Sequence, residues 1–252
     1  MTLKAEHDSA ASKLAETRNG RRRRMDDPKH LDALVEAEAG HSPFTRMHTE
    51  KVAMYTAELA KAMGHSDFEA QQFRDAARLH DVGKMDVPLE ILNFKGRFSD
   101  EQREIMKAHT TRGTERLLAG GASGPVTEMA AEMALYHHEA YDGTGYHGLR
   151  GRAIPYSARL CQVADVFEAL TAHRPYKEGM SPEAAMKLMS RELEPGERGL
   201  CADHFDPNML EAFKTIAEKV YQQGLTEIGD SRSVPEITDE AKASPEAPKA
   251  RA

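Results

Sequence analysis

Leu79-His80-Asp81-Val82-Gly83-Lys84 lies where a helical apolar pattern, Ala76, Ala77 and Leu79, breaks at a glycine. A histidine offers a neutral nitrogen and an aspartate two oxygens, so side by side at a helix end they can converge on a hard or borderline divalent ion. A carboxylate at that point can bridge two ions, and Lys84, three residues on, brings a positive charge suited to phosphate rather than to metal. The combination points to phosphate ester hydrolysis if further ligands converge there. A His-Asp pair alone also serves as a helix C-terminal contact or a buried hydrogen-bonded pair.

Helix signals surround the stretch on both sides. Ser66 with Glu69 forms a capping box for the helix that ends in His80-Asp81, and Ser99 with Gln102 forms another for a helix through His109 to Leu118. Upstream, Ser42-Pro43 supplies an N-cap and a first-turn proline for an amphipathic helix carrying Phe44, Met47, Val52, Tyr55, Leu59 and Met63 up to Gly64. Downstream, Gly124-Pro125 begins a helix reaching Tyr136-His137-His138, and the glycine-rich polar segment from Glu139 to Tyr156 reads as loop. A helix from about Ser157 to Thr171 turns Leu160, Val163, Ala164, Phe167 and Leu170 inward, and Ser181-Pro182 and Asp206-Pro207 open two more. No alternating run is long enough for a sheet, so the expected fold class is all-α, a bundle of packed helices.

At 252 residues and 40% hydrophobic content the chain can bury one substantial core. The expected plan is a charged N-terminal extension over 1–41, one folded domain over 42–224 and a disordered tail over 225–252. The extension has a single short helical stripe, Leu31, Leu34 and Val35 after Asp27-Pro28, and Arg21-Arg22-Arg23-Arg24 reads as a solvated linker. A net charge of -7 argues against duplex DNA as a partner. Cys161 and Cys201 have neither metal-type nor disulfide-framework spacing. With no signal-like N-terminus and no run near ~18 apolar residues, the expected setting is cytoplasmic with no membrane span.

Seven residues fall where this layout can bring them together: His48, His80, Asp81, His109, His137, His138 and Asp165. Asp165 interrupts the apolar run Cys161-Gln162-Val163-Ala164-Asp165-Val166-Phe167, and a helix-buried aspartate needs a metal or another cation as partner. His137-His138 follow an apolar helix, where two polar rings in succession also need partners. Nitrogen-rich mixed ligands of this kind suit iron, manganese or zinc better than magnesium.

The ordered series extends well beyond one pair. It comprises His48, His80-Asp81-Val82-Gly83-Lys84, His109, then His137-His138-Glu139-Ala140-Tyr141-Asp142-Gly143-Thr144-Gly145-Tyr146. Gly148-Leu149-Arg150-Gly151, Ile154-Pro155, the stretch from Val163 to Thr171, Arg174-Pro175-Tyr176-Lys177 and Phe205-Asp206-Pro207 follow. From Phe44 to about Gly224 the chain resembles an HD-GYP domain of the HD phosphohydrolase superfamily. That resemblance implies an all-α bundle that hydrolyses the bacterial second messenger cyclic di-GMP to linear pGpG, with full cleavage to GMP as a further step. It implies two divalent transition-metal ions, Fe or alternatively Mn, with His48, His80, Asp81 and Asp165 as the basic quartet. His109, His137 and His138 would hold the second ion, with Asp81 as bridge. Lys84, Arg174 and Lys177 correspond to phosphate-contacting cations, Lys84 also offsetting charge at phosphorus, and the Gly145-Tyr146 loop corresponds to the segment against the guanine bases.

Two departures stand out. Phe44 occupies the position where some members carry a glutamate that helps hold a third metal, which favours a binuclear centre here. The Gly-Tyr-Pro of the family is Gly145-Tyr146-His147, so the loop loses a φ restriction and gains a titratable ring. That change bears on substrate handling and on any protein partner met through this loop or the N-terminal extension. Two alternatives stand beside this reading: an HD phosphohydrolase acting on another nucleotide, and a catalytically weak or silent cyclic di-GMP-binding or interaction module.

Overall fold

Two capping boxes set the starts of the helices that flank the His80-Asp81 stretch. Ser66 and Ser99 each accept from the backbone N–H three residues on, while the Glu69 and Gln102 side chains accept from the Ser66 and Ser99 backbones. The protein is described here by a computed structural model covering residues 3–19, 26–40, 43–94, 96–173, 178–194, 197 and 199–230. Among these residues there are ten α-helices and no strand. They are α1 (Leu3–Asn19), α2 (Pro28–Ala39), α3 (Pro43–Ala62), α4 (Asp67–Ala77), α5 (Leu89–Leu92), α6 (Asp100–Leu117), α7 (Pro125–Tyr136), α8 (Tyr156–Thr171), α9 (Pro182–Met189) and α10 (Pro207–Glu227). The all-α class read from the sequence holds. Asp27, Ser181 and Asp206 cap α2, α9 and α10 ahead of a first-turn proline; Ser42 lies outside the described residues.

The core is built on α3, which packs against α4, α8 and α10, while α7 packs against α4, α6 and α8. Tyr55 meets Phe167 edge-on at 5.7 Å and Phe167 meets Phe213 at 4.9 Å, joining α3, α8 and α10 through buried rings. Each such side chain contributes about 1.5–3 kcal/mol by leaving water. Arg159 of α8 pairs with buried Asp206 and so ties the start of α10 to the same core. None of the described helices is long and apolar enough to cross a membrane.

Two parts of the chain differ from the sequence reading. The expected tail begins too early: α10 runs past Gly224 to Glu227, because Gly224 does not end the helix but lets it lie against Tyr55, whose hydroxyl would be 2.8 Å from any Cβ added there. Residues 231–252 lie outside the described residues. At the other end, the stripe of Leu31, Leu34 and Val35 is α2, but α1 has no counterpart in the reading. It buries Ala10 and Leu14 against α6 and α7. Asp26 completes the attachment. Gly124 offers α7 no capping side chain, and Asp26 instead accepts from Val126 N at 3.1 Å, Thr127 N at 2.7 Å and Thr127 Oγ1 at 2.8 Å. The arginine run at 21–24 lies outside the described residues.

Candidate metal centre

Asp81 sits between the end of α4 and a tight 3₁₀ turn, Val82–Asp86. That turn can lie against α6 because residue 83 is glycine: a Cβ there would fall 1.9 Å from the His109 carbonyl oxygen and 2.6 Å from the Gly113 nitrogen. The close approach sets Asp81 Oδ1 3.4 Å from His109 Nε2. His48 comes from the second turn of α3, His137 and His138 from the end of α7, and Asp165 from the middle of α8.

These side chains fall into two groups, Asp81 with His109, His137 and His138, and His48 with His80 and Asp165, the candidate ligand atoms of each lying within 4.8 Å of one another. Asp81 touches both. Its Oδ1 faces His109 Nε2 at 3.4 Å and His137 Nε2 at 3.5 Å, while its Oδ2 faces His80 Nε2 at 3.3 Å and His48 Nε2 at 3.5 Å. Asp165 Oδ1 is 3.4 Å from His48 Nε2.

The histidines are oriented from behind. His80, His109 and His137 donate from Nδ1 to the carbonyls of Ala77, Met106 and Met133 at 2.8, 2.6 and 2.8 Å, and His48 Nδ1 lies 2.6 Å from Glu168 Oε2. A ring whose Nδ1 is engaged in this way turns Nε2 toward the cluster, which is how proteins orient metal-binding imidazoles.

Electrostatics follow from burial and crowding. Burial opposes protonation of His48, but Glu168, Asp81 and Asp165 outweigh it and hold the ring up to about 10. Burial outweighs Asp81 at His109 and pushes it down to about 3, and burial with His137 and His109 beside it holds His138 well below its usual range. Although burial works the other way, Lys84 and His80 keep Asp81 well below the carboxylate range, and His48 and His80 lower Asp165. Lys84 pairs directly with Asp81. His80 Nε2 and Asp81 Oδ1 are buried with no hydrogen-bond partner, so the centre presents polar atoms that a cation would satisfy. The donor set, imidazoles with two carboxylates, has the make-up of a metal-binding HD site.

The loop after α7 packs against one side. Buried Glu139 accepts from His147 N at 2.6 Å and Leu149 N at 2.7 Å, folding residues 139–149 back on themselves. Gly145 is required by the fold of that loop, since a Cβ would meet Glu139 Cα at 2.4 Å. Tyr146 then lies over His138 with ring centroids 4.6 Å apart, and Lys107 Nζ is 5.4 Å from the Tyr146 ring centre. Arg174 and Lys177 lie outside the described residues, as does the side chain of Phe44.

Sequence reasoning passed over Glu168, Glu139 and Glu38. Glu168 stands one turn beyond Asp165 in the buried stretch of α8, and Glu139 directly follows the paired histidines; both positions carried a signal. Glu38 falls seven residues after Leu31, on the same buried stripe of α2.

Comparison with known proteins supplies the family. The HD domain family model matches residues 30–195. The chain is 39% identical over 177 residues to a cyclic di-GMP phosphodiesterase of Thermotoga maritima, covering 70% of this chain and 45% of that protein. It is 36% identical over 178 residues to 3'3'-cGAMP-specific phosphodiesterase 2 of Vibrio cholerae, covering 69% and 34%. The chain thus spans less than half the length of these curated relatives. In fold it is similar to Bd1817, an HDG"Y"P protein from Bdellovibrio bacteriovorus, with a TM-score of 0.53 and 18% identity over 85% of this chain and 69% of that one. With two thirds of its length matched by the family model, the chain belongs to the HD domain family and is related in sequence to the HD-GYP cyclic di-GMP phosphodiesterases.

Proposed function

We propose that the chain is a metal-dependent phosphodiesterase that opens cyclic di-GMP to linear pGpG at a centre of two transition-metal ions, Fe or Mn. The observation that carries this reading is the division of Asp81: one oxygen faces His109 and His137, the other His48 and His80. In this reading Asp81 bridges two sites, His48, His80 and Asp165 complete one, and His109, His137 and His138 complete the other. When bound, two such ions supply Lewis acidity toward the phosphodiester and lower the pKa of the attacking water. Lys84, beside Asp81, offsets negative charge that builds on the phosphoryl oxygens. Tyr146, held over His138, offers an aromatic face for a purine base. Arg174 and Lys177 belong to the reading as phosphate contacts.

A second reading, with 3'3'-cGAMP as substrate, rests on the similarity to the Vibrio cholerae enzyme. The two cyclic dinucleotides share the diester ring and one guanine and differ in the other base, so the difference is one of base contacts.

The test is turnover of cyclic di-GMP, 3'3'-cGAMP and a guanosine tetraphosphate by protein loaded with Mn(II) or Fe(II), with metal content measured on the same samples. We expect about two ions per chain, with cyclic di-GMP turned over fastest and pGpG the first product. Asp81→Ala is expected to lose both ions and turnover. Full metal occupancy with no diester cleavage would overturn the enzymatic reading, and wild-type metal content in Asp81→Ala would overturn the bridging role.

A further inference from the structure

Glu38 is a carboxylate on the inward stripe of α2, 3% exposed. Its Oε1 accepts from Thr49 Oγ1 at 3.3 Å, on the residue that follows His48, and its Oε2 is buried with no hydrogen-bond partner. Among the described residues, the buried carboxylate oxygens without such a partner are two, Glu38 Oε2 and Asp81 Oδ1. Helix α2 packs against both α3, which carries His48, and the turn Val82–Asp86, which carries Lys84. The charged groups that weigh most on Glu38 are accordingly Asp81, His80, Lys84 and His48; burial comes first, and with Asp81 it pushes the carboxyl up to about 7.

An unpartnered carboxylate at this depth is costly, and a hydrophobic residue on the stripe would fill the place without that cost. Thr49 satisfies one oxygen only. Glu38 stands outside the set His48, His80 and Asp165, whose ligand atoms lie within 4.8 Å of one another. A divalent cation held there would supply the charge that the other oxygen lacks through one water that it holds in place.

We propose that Glu38 is a further carboxylate of the metal centre, serving the half of the site formed by His48, His80 and Asp165. The inference rests on the metal reading of the centre and adds to it a supporting carboxylate from a helix that precedes every motif residue. Its sequence signal is an acid at an apolar position, with no relation of spacing to the His-Asp series.

The test is Mn(II) titration of metal-stripped protein, with free ion followed by electron paramagnetic resonance, on wild type, Glu38→Gln and Glu38→Met. The metal-free melting temperature of each is measured alongside. We expect Glu38→Gln to weaken one Mn(II) site by about ten- to a hundredfold, the usual cost of losing a carboxylate that supports a metal site from behind its ligands. Glu38→Met is expected to weaken it as much while melting at or above the wild-type temperature without metal, since a buried unpaired group is removed. A purely structural Glu38 gives the reverse pattern, a lowered metal-free melting temperature with unchanged Mn(II) affinity. Wild-type affinity in either variant overturns this inference alone, whereas no Mn(II) uptake by wild type overturns the metal reading along with it.

Discussion

Glu168 Oε2 lies 2.6 Å from His48 Nδ1, and Asp165, one turn earlier on α8, faces Nε2 of the same ring at 3.4 Å. One helix therefore grips both nitrogens of a histidine that sits on another. Glu168 holds the ring's orientation and raises its basicity, so its loss should be felt as metal affinity. For Glu168→Gln we expect Mn(II) affinity to fall about ten- to a hundredfold with the fold intact by circular dichroism; unchanged affinity would reduce Glu168 to a packing residue. Gly83 makes the opposite kind of contribution: it matters by what it lacks. Its bare Cα lets the Asp81 turn touch the α6 backbone, a requirement that no property of the residue's own helix reveals.

At the scale of an element, the loop 139–149 shows how a departure from a family pattern is absorbed. Proline at position 147 would have no N–H, whereas His147 donates to Glu139 Oε1 at 2.6 Å and stacks on His7 of α1 at 3.8 Å. Restoring proline with His147→Pro leaves a buried carboxylate oxygen short of its donor, and we expect a loss of roughly 1–3 kcal/mol in denaturant unfolding. Equal stability would mean that Leu149 N alone suffices to hold the loop. The ring itself carries a pH signature. Burial, then His7 and Lys107, push His147 from 6.5 down to about 4. The unfolded chain thus takes up a proton near pH 6.5 and the folded chain only near pH 4. Between those values the unfolded state binds more protons, so this residue's contribution falls as pH drops through that window. Unfolding at pH 7 and pH 5 should show wild type losing more stability than His147→Gln, which keeps the N–H; parallel losses would show that the ring is solvated.

At the scale of the whole molecule, the N-terminal segment is tied to the core across a hundred residues. Asp26 caps α7, the helix that delivers His137 and His138, and α1 lies across α6 and α7. Removing the cap with Asp26→Ala should cost about 0.5–2 kcal/mol, measured by chemical denaturation, while Mn(II) stoichiometry at saturation stays at the wild-type value. A loss of metal without a loss of stability would place Asp26 in the centre's own support rather than in the helix start.

The amino-acid sequence by itself determined the all-α class, most of the helix starts and the set of histidines and aspartates that the fold draws together. Ser66 with Glu69, Ser99 with Gln102, and Asp206 with Pro207 act within one turn of chain, so their effect is readable from neighbours alone. The same holds for histidines and an aspartate set against apolar runs, whose burial demands partners wherever the helices end up. Only the tertiary structure decided which oxygen of Asp81 faces which histidines, that Glu168 backs His48, that Glu38 turns inward beside Thr49, and that α1 docks on α6 and α7. Residues remote in sequence make these contacts, and what sets them is helix packing and close backbone approach, as at Gly83 against His109. Local propensity and spacing carry no record of distances between elements, because those distances exist only once the core has closed around them.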